Sequence, residues 1–143
     1  MRTTVIKKDY LMRNIDTNTK LSALWLFILL NIIFRDLHQL GKKSFLEMLL
    51  TGTYNGIEIT EELMLLGGVL AEVPIAMVLF SLLLNRRFGR PVTFVAAFIT
   101  TATLVSSAPS DMDDVFHLVI KLAAMVAILW TAWMWPEQDR AAA

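Results

Sequence analysis

Four long apolar runs decide most of what this chain of 143 residues can become. The hydrocarbon core of a bilayer is about 30 Å thick and takes roughly 20 helical residues to cross. Runs of that order lie at residues 21–40, 63–84, 91–107 and 115–135. Backbone N–H and C=O groups in hydrocarbon must be satisfied within their own segment, so such runs become helices rather than isolated strands. Composition agrees: with 56% hydrophobic and 18% charged residues, a soluble domain of this size could not hide its apolar side chains. The prediction is an all-α, integral membrane four-helix bundle, a single domain over residues 1–143 with the lipid bilayer as its first partner.

The runs are not alike. The first is cleanly apolar only over residues 21–34, and Asn31, Arg35, Asp36, His38 and Gln39 crowd its far end. The second carries Glu72 and Pro74 and stops at Asn85-Arg86-Arg87. Pro91 fits the first turn of the third, which Ser106 and Ser107 prolong. The fourth has Lys121 as its one internal charge and ends on Trp130, Trp133, Trp135 and the helix stop Pro136. Ser110 with Asp113 has capping-box spacing before the fourth run, and Ser44 with Glu47 has it before a short apolar piece, residues 45–50, expected to form an interfacial helix in the first loop. Residues 51–56 are rich in turn formers, so this loop is expected to be structured. The first twenty residues lack the apolar core and cleavage site of a signal peptide, which makes the first helix an expected uncleaved anchor; the tail 141–143 is featureless.

Orientation follows from Lys and Arg near the runs. Arg2, Lys7, Lys8, Arg13 and Lys20, then Arg86, Arg87 and Arg90, and finally Arg140 fall on one side. The other side receives Arg35, Lys42 and Lys43 against Glu58, Glu61, Glu62, Asp111, Asp113 and Asp114. Both termini are therefore expected in the cytoplasm. The tryptophans of the fourth run, with Trp25, are expected to form an aromatic belt at that interface.

Ionisable groups at membrane depth cost several kcal/mol and should turn inward and find partners. At about 1.5 Å per residue, Glu72 lies roughly 14 Å and Lys121 roughly 9 Å below the outer ends of their runs. Asn31 reaches a similar level, with Arg35 and Asp36 above it and the hydroxyls of Thr100, Thr101, Thr103 and Ser106 in the same half. Asn31, Arg35 and His38 share helical spacing, as do His117 and Lys121, so one polar layer is expected to gather side chains from all four helices. Pro74 should kink its helix or free the Leu70 carbonyl beside Glu72. The candidate ligand- or proton-binding residues are Glu72, Lys121, Asn31, Arg35, Asp36, His38 and His117. Two blander readings stay open: Glu72 pairs with Lys121 or Arg35 only to hold the bundle together, and Arg35 and Asp36 snorkel to the interface.

The balance of 13 Lys and Arg against 13 Asp and Glu removes the electrostatic argument for a nucleic-acid partner. The lack of Cys excludes thiolate metal sites and thiol catalysis, and two His without dense ligand spacing give no expected metal. No phosphate-binding glycine loop or nucleophile elbow is present. No cofactor is expected, and an enzyme is the weaker expectation.

Leu24-Trp25, Asn31 and Asp36, Leu50-Thr51-Gly52-Thr53, Gly56-Ile57-Glu58-Ile59-Thr60, and Glu72-Val73-Pro74-Ile75-Ala76-Met77-Val78, with the closing tryptophans, resemble an uncharacterised family of small four-helix bacterial membrane proteins. A more distant likeness to DoxX-like proteins is architectural. The resemblance implies a multi-pass protein of the bacterial cytoplasmic membrane and supplies no substrate. Three functions stand open: binding or transport of a small solute, proton or cation, by a homo-oligomer or with a membrane partner protein; a non-catalytic accessory or assembly subunit; and a lipid- or quinone-using enzyme.

Overall fold

A computed structural model describes residues 15–54, 56–106, 109 and 111–136. Among them run α1 (Thr17–Leu40), α2 (Lys43–Leu50), a hairpin of β1 (Thr53–Tyr54) and β2 (Ile57–Glu58), α3 (Glu61–Leu83), α4 (Arg86–Ser106) and α5 (Met112–Trp133). The four long helices are each long and apolar enough to cross a membrane, which makes this a multi-pass membrane protein. In the most apolar stretch of α3 only 11% of residues are buried, so nearly all of that helix's oily surface faces outward, as a hydrocarbon solvent permits.

The bundle is a ring in which α1 packs on α3 and α5, and α4 packs on the same two from the other side. Neighbours are antiparallel. Ser22 and Asn18 near the start of α1 donate to the carbonyls of Val78 (2.8 Å) and Leu84 (3.1 Å) at the end of α3. At the opposite end, Arg35 of α1 meets Asp114 at the start of α5.

Each long helix turns inward along a stripe spaced by threes and fours, the spacing that keeps one helical face on its neighbours. On α1 the stripe is Leu21, Trp25, Ile28, Ile32, Arg35 and Gln39; on α5 it is Asp114, Leu118, Lys121, Met125, Ile128 and Ala132. The stripe of α4 runs Gly89, Thr93, Ala96, Thr100, and that of α3 runs Pro74, Met77, Ser81. Small side chains dominate the stripe of α4, which lets its neighbours approach where lipid offers no hydrophobic drive to associate.

The tight end of the bundle is built around tryptophan. Trp25 is fully buried, and Trp135 is 5% exposed against Gly89, where an added Cβ would lie 2.8 Å from its ring. The expected belt of four is thus divided: Trp25 and Trp135 belong to the core, while Trp130 and Trp133 stay outside, with the Arg90 guanidinium 5.2 Å from the Trp133 ring. Packing at a stripe position overrides the interfacial preference of the residue type.

Caps also differ from expectation. Asp111 accepts from the Asp114 N–H (3.0 Å) and starts α5, one residue after the expected Ser110, which lies outside the described residues, as does Ser107. Thr60 caps α3 by accepting from Leu63 N–H. The Ser44 and Glu47 spacing caps nothing, because α2 begins at Lys43. The first loop is ordered as a hairpin in which Tyr54 pairs with Ile57 across Asn55-Gly56, a sequence suited to a two-residue turn, and Gly56 has φ +79°. Tyr54 meets Phe45 of α2 edge to face, fastening the hairpin to that helix.

Candidate functional site

At the end of the bundle where α1 closes and α5 opens, the inner stripes stop being apolar. All four long helices there surround a cavity of about 220 Å³. From α1 it receives Ile32, Arg35 and Asp36; from α5, Asp114, Leu118 and Lys121. The third wall is α4, with Thr100, Thr103 and Leu104. The wall supplied by α3 is small and apolar: Gly67, Leu70, Ala71 and Pro74.

Asp114 organises this end. It is 4% exposed, and its Oδ1 accepts from Arg35 Nε at 2.8 Å and from the buried Gln39 Nε2 at 2.7 Å. Arg35 also reaches Asp36 Oδ1 at 3.3 Å, and the Asp36 side chain is largely exposed at the rim. Two charge-assisted hydrogen bonds from α1 to one carboxylate oxygen, one of them also an ion pair, fix the spacing of α1 and α5. Deeper by about 10 Å along α5, at its rise per residue, Lys121 is 7% exposed; among the described residues its ammonium is in the field of Arg35, Asp36 and Asp114 but makes no hydrogen bond or close ion pair. Thr100 Oγ1, also buried in the wall, has no hydrogen-bond partner there either.

The expected polar layer is thus assembled in part. Arg35, Asp36 and Lys121 come together around the cavity. His38 and His117 do not line it; both flank Asp113, with Nε2 to carboxylate distances of 3.6 and 3.7 Å. Asn31 bonds back to the Phe27 carbonyl of its own helix (2.8 Å). Glu72 lies on the exposed face of α3, away from Arg35 and Lys121. The geometry is simple: Pro74 faces inward, and two residues of helix are about 200° of rotation, which carries Glu72 to the far side. The small residues that α3 brings to the cavity are Gly67 and Ala71.

Asp114 and Gln39 were not among the expected site residues. Their signal is the spacing itself: Gln39 continues Ile28, Ile32 and Arg35, and Asp114 continues Met125, Lys121 and Leu118 in steps of three and four. Taking Asn31, Arg35 and His38 as the inner face shifts that stripe by one position.

Above the cavity, Lys42 and Asp111 form an exposed ion pair that ties the loop after α1 to the cap of α5. The Lys42 ammonium, with the Asp114 N–H, holds the Asp111 carboxyl below the usual carboxylate range, and the carboxylate raises Lys42 in turn. A second hollow, about 380 Å³, lies between α3 and α4 among Met77, Phe80, Val95 and Ile99 and is almost wholly apolar.

The sequence pattern of one family, described as a family of unknown function (DUF6326), matches residues 11–142. No curated protein and no solved structure matches the chain.

Proposed function

Since the chain belongs to this family of unknown function, its reading rests on its own residues, and we propose that it binds a small polar solute in the cavity between its four long helices. The observation that carries this is Lys121: a buried, unpaired cation in a hollow with an orphaned hydroxyl, inside hydrocarbon, is expensive unless something else completes it. Lys121 is the principal binding group, Thr100 a hydrogen-bonding wall, and the Arg35, Asp114 and Gln39 network the frame that keeps α1 and α5 apart. Asp36 stands at the mouth. At about 220 Å³ the cavity is below the roughly 300 Å³ at which pockets for drug-sized ligands begin, so the guest is small.

We further infer that the mouth opens away from the cytoplasm, with both termini inside and α2 lying in the outer interface. The basic set Lys20, Arg86, Arg87 and Arg90 at the tryptophan end, against the acidic groups around the cavity end, supports this orientation. A bacterial cytoplasmic membrane is the setting the reading assumes, and transport is its fuller form, with a second protomer or a partner supplying the rest of the path.

The Cys-free chain permits a direct test. A single cysteine at Ala71, reconstituted in vesicles, should react with a neutral, water-soluble methanethiosulfonate from the outside, as should a control cysteine at the exposed Glu58. Reaction at Glu58 without reaction at Ala71 would mean a closed, dry cavity and would end the proposal.

A second reading, an assembly subunit, is favoured by one observation: Glu72 is a carboxyl on the exposed face of an otherwise oily helix. Such a group calls for a partner in the membrane. A complex in mild detergent that dissociates in Glu72→Gln would support it; a monomer in both proteins would reject it.

A further inference from the structure

We infer that the guest of the cavity is an oxyanion, a carboxylate or phosphate group small enough to sit between Lys121 and Thr100. The inference rests on the solute-binding reading and adds the sign of the charge.

It follows from an inventory of donors and acceptors. The acids in the cavity wall are both engaged by Arg35: Asp114 through Nε at 2.8 Å and Asp36 through Nη1 at 3.3 Å. Asp114 Oδ1 also takes the Gln39 amide. Asp36, moreover, directs its charge to the rim, where its side chain is 62% exposed. Lys121, on the next inner positions of α5, keeps three N–H donors with no acceptor among the described residues. The Thr100 hydroxyl, in the adjoining α4 wall of the same cavity, is likewise unspent.

The charges of the wall balance, Arg35 and Lys121 against Asp36 and Asp114, but both acids are bonded to Arg35, and Lys121 lies on the wall with its own donors unspent. A cation would meet Lys121 head on and find the acids occupied. A neutral molecule could take hydrogen bonds but would leave the ammonium with no opposite charge in contact, only the carboxylates of Asp36 and Asp114 that Arg35 already holds, in a medium of low dielectric where charge is costly to bury. An oxyanion meets both needs, accepting from Lys121 and Thr100 at once through charge-assisted bonds. It would also place opposite charge seven residues below the Arg35 and Asp114 pair, so the cavity would hold two stacked ion pairs rather than one.

The chemistry has two sources. A free anion could come from water through the mouth, or the acidic headgroup of a lipid could come from the bilayer between helices. The test separates them and separates both from failure of the underlying reading. With the Ala71 cysteine in phosphatidylcholine vesicles, the sulfonatoethyl methanethiosulfonate should react faster than the trimethylammonioethyl reagent by about tenfold, the scale on which a charged cleft alters encounter rates. The preference should vanish in Lys121→Met and return in Lys121→Arg. Inorganic phosphate that slows the reaction points to the aqueous source. Phosphatidic acid in the vesicles that slows it points to the lipid, and protection by neither overturns the inference. Equal rates for the two charged reagents, or a preference that survives Lys121→Met, would also overturn it. If the neutral reagent still reacts in those cases, solute binding stands without its charge; if the neutral reagent fails as well, the cavity reading itself is lost. Should Lys121→Met not assemble, protection of the parent protein by phosphate or phosphatidic acid decides the matter alone.

Discussion

The two ends of this bundle use the same four stripes for opposite purposes. Near the start of α1 the stripes carry Trp25, Met77, Ala96 and Ile128, all buried, and space is so scarce that only glycine at position 89 admits the Trp135 ring. A few turns along, the same stripes carry Arg35, Asp114, Lys121 and Thr100 around open space. One end is held by close contact together with the Asn18 and Ser22 bonds to α3, and the other by a small number of directional bonds around open space. The lesson is that register, more than residue type, decides what a polar side chain does here. Arg35 and Lys121 fall on the stripe and line the cavity; Asn31 and Glu72 fall off it and face backbone or the outside.

The largest expected effect tests the polar end. Asp114→Ala removes the acceptor of both Arg35 and Gln39 and should cost about 3 kcal/mol, as expected when one partner of a buried pair is lost. Titration with SDS, followed by helicity, would measure it. Stability equal to the parent protein would mean that this end is held by packing after all. The tight end is probed by Gly89→Ala, which drives a methyl into Trp135 and should cost about 2 kcal/mol by overpacking. Tryptophan emission should shift in that variant while thiol labelling at Ala71 stays unchanged; altered labelling would show that the ends are coupled.

The smallest effect lies at Asp111. Loss of its cap in Asp111→Ala should lower stability by less than either Asp114→Ala or Gly89→Ala. Asp111→Asn keeps a capping oxygen and removes the charge, which isolates the ion pair. Because the folded protein holds the Asp111 carboxyl below its ordinary value, the stability from that charge is complete above the unfolded value of about 3.9 and fades as pH falls through the lower folded value. Lys42, held above its ordinary value, contributes fully below about 10.4 and loses this as pH rises through its raised value. The difference in melting temperature between the parent protein and Asp111→Asn should therefore be flat through neutral pH and shrink in acid. A difference independent of acid would exclude the pair as a source of stability.

Much of the fold was legible because hydrocarbon allows so few solutions. Length and hydropathy suffice to announce four helices, and Thr51 to Gly56 announced an ordered loop, although not that the loop would pair Tyr54 with Ile57. The inward faces were harder. On α1 the apolar residues run almost all the way round from Leu21 to Phe34, and α3 is oily on every side, so no amphipathic contrast marks the buried edge. Glu72 then looks like the natural centre of a polar layer, when the turn of the helix carries it away from Pro74. Lys121 was legible because α5 offers one charge at depth. Asp114 was hidden by its neighbours: among Asp111, Asp113 and Asp114 sequence alone does not distinguish a cap, a rim carboxylate and a buried one, and those are the three roles they take.

Pro74 has a consequence of another kind. α3 continues through it from Glu61 to Leu83, yet its ring nitrogen offers nothing to the Leu70 carbonyl, and both residues lie on the cavity wall. The main-chain oxygen of Leu70 thereby lacks the donor that a helix ordinarily supplies from four residues on, on the side of the hollow where no lining side chain is polar. It would give a guest's hydroxyl, or a single water, a foothold opposite Lys121, and would orient a molecule with one acidic end and one proton-bearing end. A cavity so furnished would distinguish the two ends of what it holds.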